Sequence, residues 1–402
     1  MADLLPNGAS RLGVAVSGGS DSTALMHLTR DWAKAHGRDV VVATIDHRLR
    51  PESASEAEHV AAVAHALGLP HRVFRWDGWK ASGNLQAEAR AARYGLLGNW
   101  AGEDTLDAVL LGHTQDDDAE TVLLGLARGA GLDGMSGMRG RFDRDGVVFL
   151  RPLLRFKRDD LRRMLRAENA TWLEDPSNND TQFQRVRIRQ ALGSLVQAGL
   201  TTDSITTSAR ALRRTRDSLE DMVADFTKRH VTFDRGDILI APDAFATTHD
   251  EIARRLLSNG LQAIASRDYA PRARKLLPLL DAPVPREGVT LHGCILRTDS
   301  GGLRLAREPE AARRAGVAAL GTIWDGRWTV SGPQTDVQIR ATGPDGLRHC
   351  PDWRKTGLPR ASLLAAPAVW RDNMLIAAPL AGMAGDWRAN CTIPFTSEGF
   401  WR

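Results

Sequence analysis

Cysteine is scarce in this chain of 402 residues, and the pattern of the few present excludes two architectures. Cys294, Cys350 and Cys391 are odd in number, widely spaced and without a CxxC pair, which argues against both a disulfide framework and a structural zinc site. Long apolar runs are also missing: no stretch approaches the roughly 18 residues needed to span a bilayer. The N-terminus, MADLLPNGASRLGVAVSGG, lacks the basic region and long apolar core of a secretory signal. These absences predict a cytoplasmic protein with no membrane partner. Low-complexity tracts and long repeats are absent too, and 25% charged, 6% aromatic and 43% hydrophobic residues describe a folded chain rather than a disordered or fibrous one. Its length exceeds what one core normally organises, so two or three domains are expected. A net charge of +4 over such a length permits a polyanionic partner without demanding one; clustering of the basic residues matters more.

Over residues 1–190, short apolar runs alternate with helical periodicity. LGVAV is followed by Ser20–His36, VVVATI by Pro51–Leu67, HRVFRW by Asn84–Trp100, and LDAVLLG by Gln115–Ala127. Such alternation predicts α/β architecture: a doubly wound, Rossmann-like parallel sheet with helices on both faces. Leu25, Leu28 and Trp32 fall at i, i+3 and i+7 and give the first helix one stripe to bury. The pattern then turns helical, with a strand-like piece at Asp237–Ala241, and ends in strand-like runs at GTIWDGRWTV, TDVQIRAT and AVWRDNMLIAAP. The last of these reads as two strands around an Arg-Asp-Asn turn. The expected division is a catalytic domain at 1–194, a mainly helical domain at 195–315 and a small α+β domain at 316–402. Six of the eleven tryptophans lie in that last part, where packing of a small core is their expected role.

Directly after the first strand comes Ser17-Gly18-Gly19-Ser20-Asp21-Ser22, with a helix beginning inside it. Consecutive backbone N–H groups at such a turn form an anion cradle. Gly18 and Gly19 allow the backbone close to a phosphate, the hydroxyls of Ser17, Ser20 and Ser22 can donate to phosphate oxygens, and Asp21 can hold a magnesium ion. No lysine closes the loop, so it is not the GxxxxGK[ST] phosphate loop, whose lysine reaches the β- and γ-phosphates. A second string, Leu111-Gly112-His113-Thr114-Gln115-Asp116-Asp117-Asp118-Ala119-Glu120-Thr121, ends the fourth strand and starts its helix. In a doubly wound sheet it shares the carboxyl edge with the loop. Asp117 and Glu120, three apart, share a helix face. A third string, Thr44-Ile45-Asp46-His47-Arg48-Leu49-Arg50, ends the second strand at the same edge.

The loop resembles the SGGxDS motif of the PP-loop ATP pyrophosphatases, which cleave ATP between the α- and β-phosphates and attach AMP to a substrate oxygen. Together with Arg128-Gly129-Ala130-Gly131-Leu132 and Glu174-Asp175-Pro176-Ser177-Asn178, the three strings look like those of the tRNA-Ile lysidine synthetases. That resemblance is close over about residues 11–190 and weaker beyond. It implies adenylation of carbon 2 of the wobble cytidine in the tRNA-Ile with a CAU anticodon, then displacement of AMP by the side-chain amine of free L-lysine. ATP and magnesium would be the cofactors.

The chemistry suits these residue types. The cytosine 2-oxo group leaves readily only as a phosphate ester, and an amine of pKa ~10.4 is free base only about 1 time in 2,500 at pH 7, so a carboxylate must take its proton. By resemblance Asp46, Asp117 and Glu120 line the lysine site, and any of the three could be the general base. Arg128, with its planar fork, is a candidate for the lysine carboxylate. His113 stands either against ATP or as a packed, hydrogen-bonded residue, and the sequence leaves both open. Asp118 departs from the family, which has glutamine there; this extra acid is expected to point to solvent.

Ten Arg and Lys against six acids fall between residues 151 and 190. Arg185, Arg187 and Arg189 alternate in QRVRIRQ and resemble the family's RNxxR element, with Val186 in place of its asparagine; phosphate contact with RNA is the expected role. Arg162, Arg163 and Arg166 serve either that purpose or a solvated helix face. Arg210, Arg213, Arg214 and Arg216 form a second stripe, and a basic track over both would fit a long RNA. A thiolating relative would carry cysteines near the catalytic domain, and none precedes Cys294. A glutamine-dependent amide synthetase would need a glutaminase nucleophile, which is not apparent. A non-catalytic RNA binder would have lost the loop aspartate or the acidic helix, and both are intact.

Overall fold

The computed structural model describes residues 1–48, 52–76, 85–174, 180–245, 248–267, 269–281, 284–299 and 301–392. Leu49, Arg50, Pro51, Asn84 and Asp175–Asn178, named above, lie outside these. The chain divides into two compact units, Met1–Asp217 and Ser218–Arg402.

In the first unit the strands are β1 (Arg11–Ala15), β2 (Asp39–Asp46), β3 (His71–Arg75), β4 (Ala108–Leu111), β5 (Arg141–Arg144) and β6 (Val147–Leu150). The helices are α1 (Ser20–His36), α2 (Ser53–Ala66), α3 (Leu85–Glu103), α4 (Gln115–Ala127), α5 (Leu132–Met135), α6 (Arg158–Ala167), α7 (Gln184–Gln197) and α8 (Thr202–His230), the last crossing the division between the units. The sheet runs β3-β2-β1-β4-β6-β5, parallel except for the β5–β6 hairpin at one edge. The chain builds outward from β1 through β2 to β3, then returns to place β4 on the other side of β1. That reversal is a topological switch point, the place where ligands enter such sheets.

Alternation along the strands supplies the two cores. Leu12, Val14, Val42 and Leu110 face one side, where Leu25, Met26, Val60, Leu161 and Leu165 cover them, with Leu28 and Trp32 at the margin as the stripe predicts. Ala15, Val41, Ala43, Val109 and Leu111 face the other, under Tyr94, Leu97 and Trp100 of α3. Gly13 is a glycine because of this second core: a Cβ there would stand 2.7 Å from the Trp100 ring and from Leu106 Cδ1.

The second unit carries more sheet than its helical periodicity indicates. Here β7 (Val231–Asp234), β8 (Asp237–Ile240), β9 (Val289–Leu291), β10 (Cys294–Asp299) and β11 (Gly302–Arg307) form an antiparallel sheet in the order β7-β8-β11-β10-β9. Helices α9 (Asp250–Ala265) and α10 (Ala273–Asp281) lie between its strands in sequence. Charged residues within the strands hid this sheet. Arg304 sits in β11 only because Asp234, Asp237 and Asp299 accept its guanidinium N–H groups at 3.0, 2.9 and 3.3 Å. Further on, Pro367–Arg371 and Met374–Ala377 form the expected hairpin, with Asp372 at its turn in the left-handed region. Trp324, Trp328, Trp370 and Trp387 are buried core residues. Among the described residues no helix is long and apolar enough to cross a membrane.

Candidate active site

The loop after β1 is shaped from within. Gly18 has φ +90°, and a Cβ on it would lie 2.8 Å from Leu173 Cδ1, so both conformation and contact require glycine. Leu173 N–H donates to the Gly18 carbonyl at 2.8 Å, pinning the turn. The Ser22 hydroxyl accepts from Ser17 N at 3.1 Å and donates to the Gly19 carbonyl at 3.0 Å, with the Ser17 hydroxyl 3.2 Å away. Ser22 thus braces the loop, while Ser17 is exposed at its rim. Gly19 caps α1 without a side chain, and a Cβ there would meet nothing within 4 Å. Among the described residues, the uncapped first turn therefore faces open space.

Register brings the second string against this loop. Ala15 of β1 pairs with Leu111 of β4, so the residues leaving both strands are neighbours. Gly112 packs on the helix start itself: its Cβ position is 2.9 Å from Ser22 Cα and 3.0 Å from Ser22 N. Thr114 then caps α4, its N–H and hydroxyl donating to Asp117 Oδ2 at 2.8 and 2.9 Å. One carboxylate oxygen of Asp117 is committed to the cap, leaving Oδ1 to face the cleft.

Three arginines converge on the acids there. Arg158, at the start of α6, donates from Nε to Asp21 Oδ2 at 2.8 Å and from Nη2 to Asp117 Oδ1 at 3.3 Å, and its Nη1 lies 3.9 Å from Glu120 Oε1. Arg185 Nε donates to Glu120 Oε2 at 2.7 Å and its Nη2 to Asp117 Oδ1 at 3.3 Å; Arg189 Nε donates to Glu120 Oε1 at 2.8 Å. Arg162, one turn after Arg158, donates to Ser20 Oγ at 3.2 Å and pairs with Glu174. The loop and the acidic helix thus open on one cleft, bridged by Arg158.

The electrostatics differ from acid to acid. Burial raises the Asp21 carboxyl above its ordinary range, and Arg158 offsets this only in part. Burial acts the same way on Asp117, but the charges of Arg185 and Arg158 with the Thr114 N–H outweigh it and hold that carboxyl below the usual range. Asp46 is also held low: burial is outweighed by the Ser53 hydroxyl and by the Arg48 N–H, which donates at 2.9 Å. His113 is pushed down to about 3 by burial and the nearby Arg151 charge. Its Nδ1 accepts from Arg151 Nε at 3.2 Å, so the ring is neutral with its proton on Nε2.

Of the residues singled out in the sequence, Asp21, Asp117, Glu120, Arg185 and Arg189 come together. Asp46 ends β2 on the same edge of the sheet but bonds locally to Arg48. His113, just past the end of β4, is hydrogen-bonded by Arg151 Nε at 3.2 Å. Arg128, exposed at the end of α4, donates to Gln184 Oε1 at 2.9 Å. Asp118 corrects an expectation: it is 2% exposed, accepting from Met138 N at 2.5 Å and Arg213 Nη2 at 3.1 Å. The helical period turns residue 118 away from the cleft face and into the α5 and α8 packing. Arg185, Arg187 and Arg189 lie on helix α7, so Arg187 leaves the face shared by the other two and donates to the Thr181 and Gln182 carbonyls. Within the second basic stripe Arg213 and buried Arg216 are turned to protein partners. Arg158 was missed as a site residue; the signal was its i, i+4 spacing with Arg162 beside a phosphate loop that lacks its own cation.

The switch-point sheet, the serine-glycine loop on its carboxyl edge and the facing acidic helix define a PP-loop domain, and the family model of that description matches residues 1–196. Three relatives extend the likeness past that domain. The tRNA(Ile)-lysidine synthase of Ruegeria pomeroyi is 46% identical over 381 residues, spanning 94% of this chain and 90% of the relative. Those of Bradyrhizobium diazoefficiens and Wolbachia pipientis are 38% and 34% identical, spanning 77% and 80% of this chain and 92% and 76% of the relatives. The chain belongs to the tRNA(Ile)-lysidine synthase family.

Proposed function

We propose that this protein is an ATP-dependent carbon–nitrogen ligase that converts the wobble cytidine of CAU-anticodon tRNA-Ile to lysidine in the cytoplasm. Cytosine O2 bonds to the α-phosphorus of ATP, and the α–β anhydride bond breaks to release pyrophosphate. The side-chain amine of free L-lysine, deprotonated by a carboxylate, then bonds to carbon 2, and O2 departs with AMP.

The observation that carries this reading is the single cleft in which Asp21 of the phosphate loop and Asp117 and Glu120 of α4 share one arginine. Two reactants, one anionic and one cationic, need to meet within a few ångströms, and the two halves of this cleft carry the matching residue types. The loop fits a triphosphate, because the first turn of α1 is uncapped and, among the described residues, nothing stands within 4 Å of the Gly19 Cβ position. Magnesium would rest on Asp21, in the first turn of α1, and on phosphate oxygens. When bound, that ion would offset the triphosphate charge. Asp46, Asp117 and Glu120 are the candidates to hold the lysine ammonium and take its proton, and Arg128 to hold its carboxylate. His113, neutral and accepting a hydrogen bond from Arg151, is a further candidate to contact ATP.

The test is incubation with ATP, magnesium, labelled lysine and a CAU-anticodon tRNA-Ile transcript. Label should enter the RNA with pyrophosphate release, and Asp21→Ala should abolish both. Sulfur incorporation independent of lysine would overturn the reading.

A further inference from the structure

The phosphate loop contains no cation of its own, yet two arginines reach it from α6. Arg158 and Arg162 lie one turn apart on one helix face, with Arg158 on Asp21 Oδ2 at 2.8 Å and Arg162 on Ser20 Oγ at 3.2 Å. Helix α6 is held firmly enough to aim them. Its first N–H, that of Arg158, donates to Asp116 Oδ2 at 2.8 Å, and Gln115 N donates to the Phe156 carbonyl at 3.0 Å. Further along, His27 of α1 meets Glu168 just past the end of α6 at 2.7 Å.

The protein's own charges in the cleft also balance. Three guanidiniums, Arg158, Arg185 and Arg189, face three carboxylates, Asp21, Asp117 and Glu120. A lysine ammonium entering this arrangement would add a fourth cation to a part-buried, neutral cluster and would find each carboxylate already paired, which is unfavourable at low local dielectric. A triphosphate entering first changes that account, since at the loop that holds Asp21 it offers Arg158 a more highly charged partner.

We propose that Arg158 and Arg162 are the phosphate-binding cations that the loop lacks, and that transfer of Arg158 from the carboxylates to the triphosphate opens Asp117 and Glu120 to the lysine ammonium. The same transfer frees Asp21 for a metal ion. The inference rests on the reading above that ATP and lysine are the substrates. Its consequence is positive coupling: nucleotide tightens lysine, and by reciprocity lysine tightens nucleotide by the same factor.

Equilibrium binding on the full chain tests this, with labelled lysine and the non-cleavable analogue α,β-methylene-ATP plus magnesium, each titrated with and without the other. The wild-type protein should bind lysine on the order of tenfold tighter or more when the analogue is present. Arg158→Gln should bind the analogue more weakly by a similar factor, bind lysine alone more tightly than wild type, and show a coupling factor near one. Arg158→Lys should restore part of the analogue affinity, and Arg162→Ala should weaken the analogue while leaving lysine alone unchanged. Circular dichroism melts confirm that each variant is folded; should Arg158→Gln fail to fold, Arg158→Lys and Arg162→Ala carry the test. Wild-type affinity for the analogue in these variants, or full coupling without Arg158, overturns the inference while leaving the functional reading intact. Failure of the wild-type protein to bind the analogue at all overturns both.

Discussion

Replacing Gly112 with alanine would put a methyl carbon 2.9 Å from Ser22 Cα, 3.0 Å from Ser22 N and 3.2 Å from the Asp21 carbonyl carbon. All three are backbone atoms, so no side chain can swing aside. The shortest of these is roughly 0.5 Å or more inside ordinary carbon contact, and one side has to move. On the β4 side, Ala108–Leu111 are buried among neighbouring strands and Thr114 is locked into its cap. The loop therefore yields, carrying Asp21 and the first turn of α1 with it. Overpacking of this kind costs about 1–3 kcal/mol. A displacement near half an ångström should weaken nucleotide binding about tenfold, since a 1 Å misplacement can cost roughly 10²-fold. Urea melts read the first effect, and titration with α,β-methylene-ATP and magnesium the second. Gly19→Ala is the matched control, because Gly19 has φ −70° and ψ 162°, open to any residue, and nothing within 4 Å of its Cβ position. That variant should keep its stability or gain about 0.4–1 kcal/mol while losing nucleotide affinity. An unchanged melt and unchanged affinity for Gly112→Ala would refute the claim that β4 and the phosphate loop are in direct backbone contact.

Asp118→Ala should lose about 2 kcal/mol in urea melts, because it strands the Met138 N–H and the part-buried Arg213 guanidinium; a loss too small to resolve would return Asp118 to the solvent face. His113 is neutral in the folded protein and titrates normally near 6.5 when unfolded, so its contribution is complete above that pH. It is lost as pH falls toward about 3, at about 1.4 kcal/mol per unit. His113→Gln, which keeps an acceptor for Arg151, should flatten stability between pH 6 and 4 relative to wild type, read from melts across that range. Asp117 runs in the same direction lower down: its carboxyl is held low by Arg185 and Arg158 against the pull of burial, so its stabilisation is present above the ordinary carboxylate pKa and fades in acid. Asp117→Asn should be less stable at neutral pH and lose less than wild type on acidification.

Much of the first unit is legible along the chain because its determinants are local. The periodicity of Ser20–His36 and Gln115–Ala127 matches α1 and α4 residue for residue, and the turn glycines mark the loop. The β5–β6 hairpin escaped notice because its strands are short, and the sheet of the second unit, apart from the strand-like piece at Asp237–Ala241, because short strands there carry arginines held by distant acids, as Arg304 is by Asp234 and Asp237. Within the site, the acids stood out by their spacing while their partners did not. Asp118 sits between Asp117 and Glu120 in sequence yet belongs to a different face, and only the packing of α4 against α8 makes that face a buried one.

By itself, then, the order of residues determined the alternation of strands and helices, the glycine-rich loop and the acidic helix start, since each depends on neighbours within a few positions. Tertiary structure alone decided that Gly112 must lack a side chain, that Arg158 lies across Asp21, Asp117 and Glu120, and that these acids are paired. Those facts arise where β1 and β4 lie side by side and α6 crosses their ends, bringing residues about 40 to 140 positions apart within hydrogen-bond reach. Contact across such separations is set by the register of the sheet and leaves no period in the chain to read.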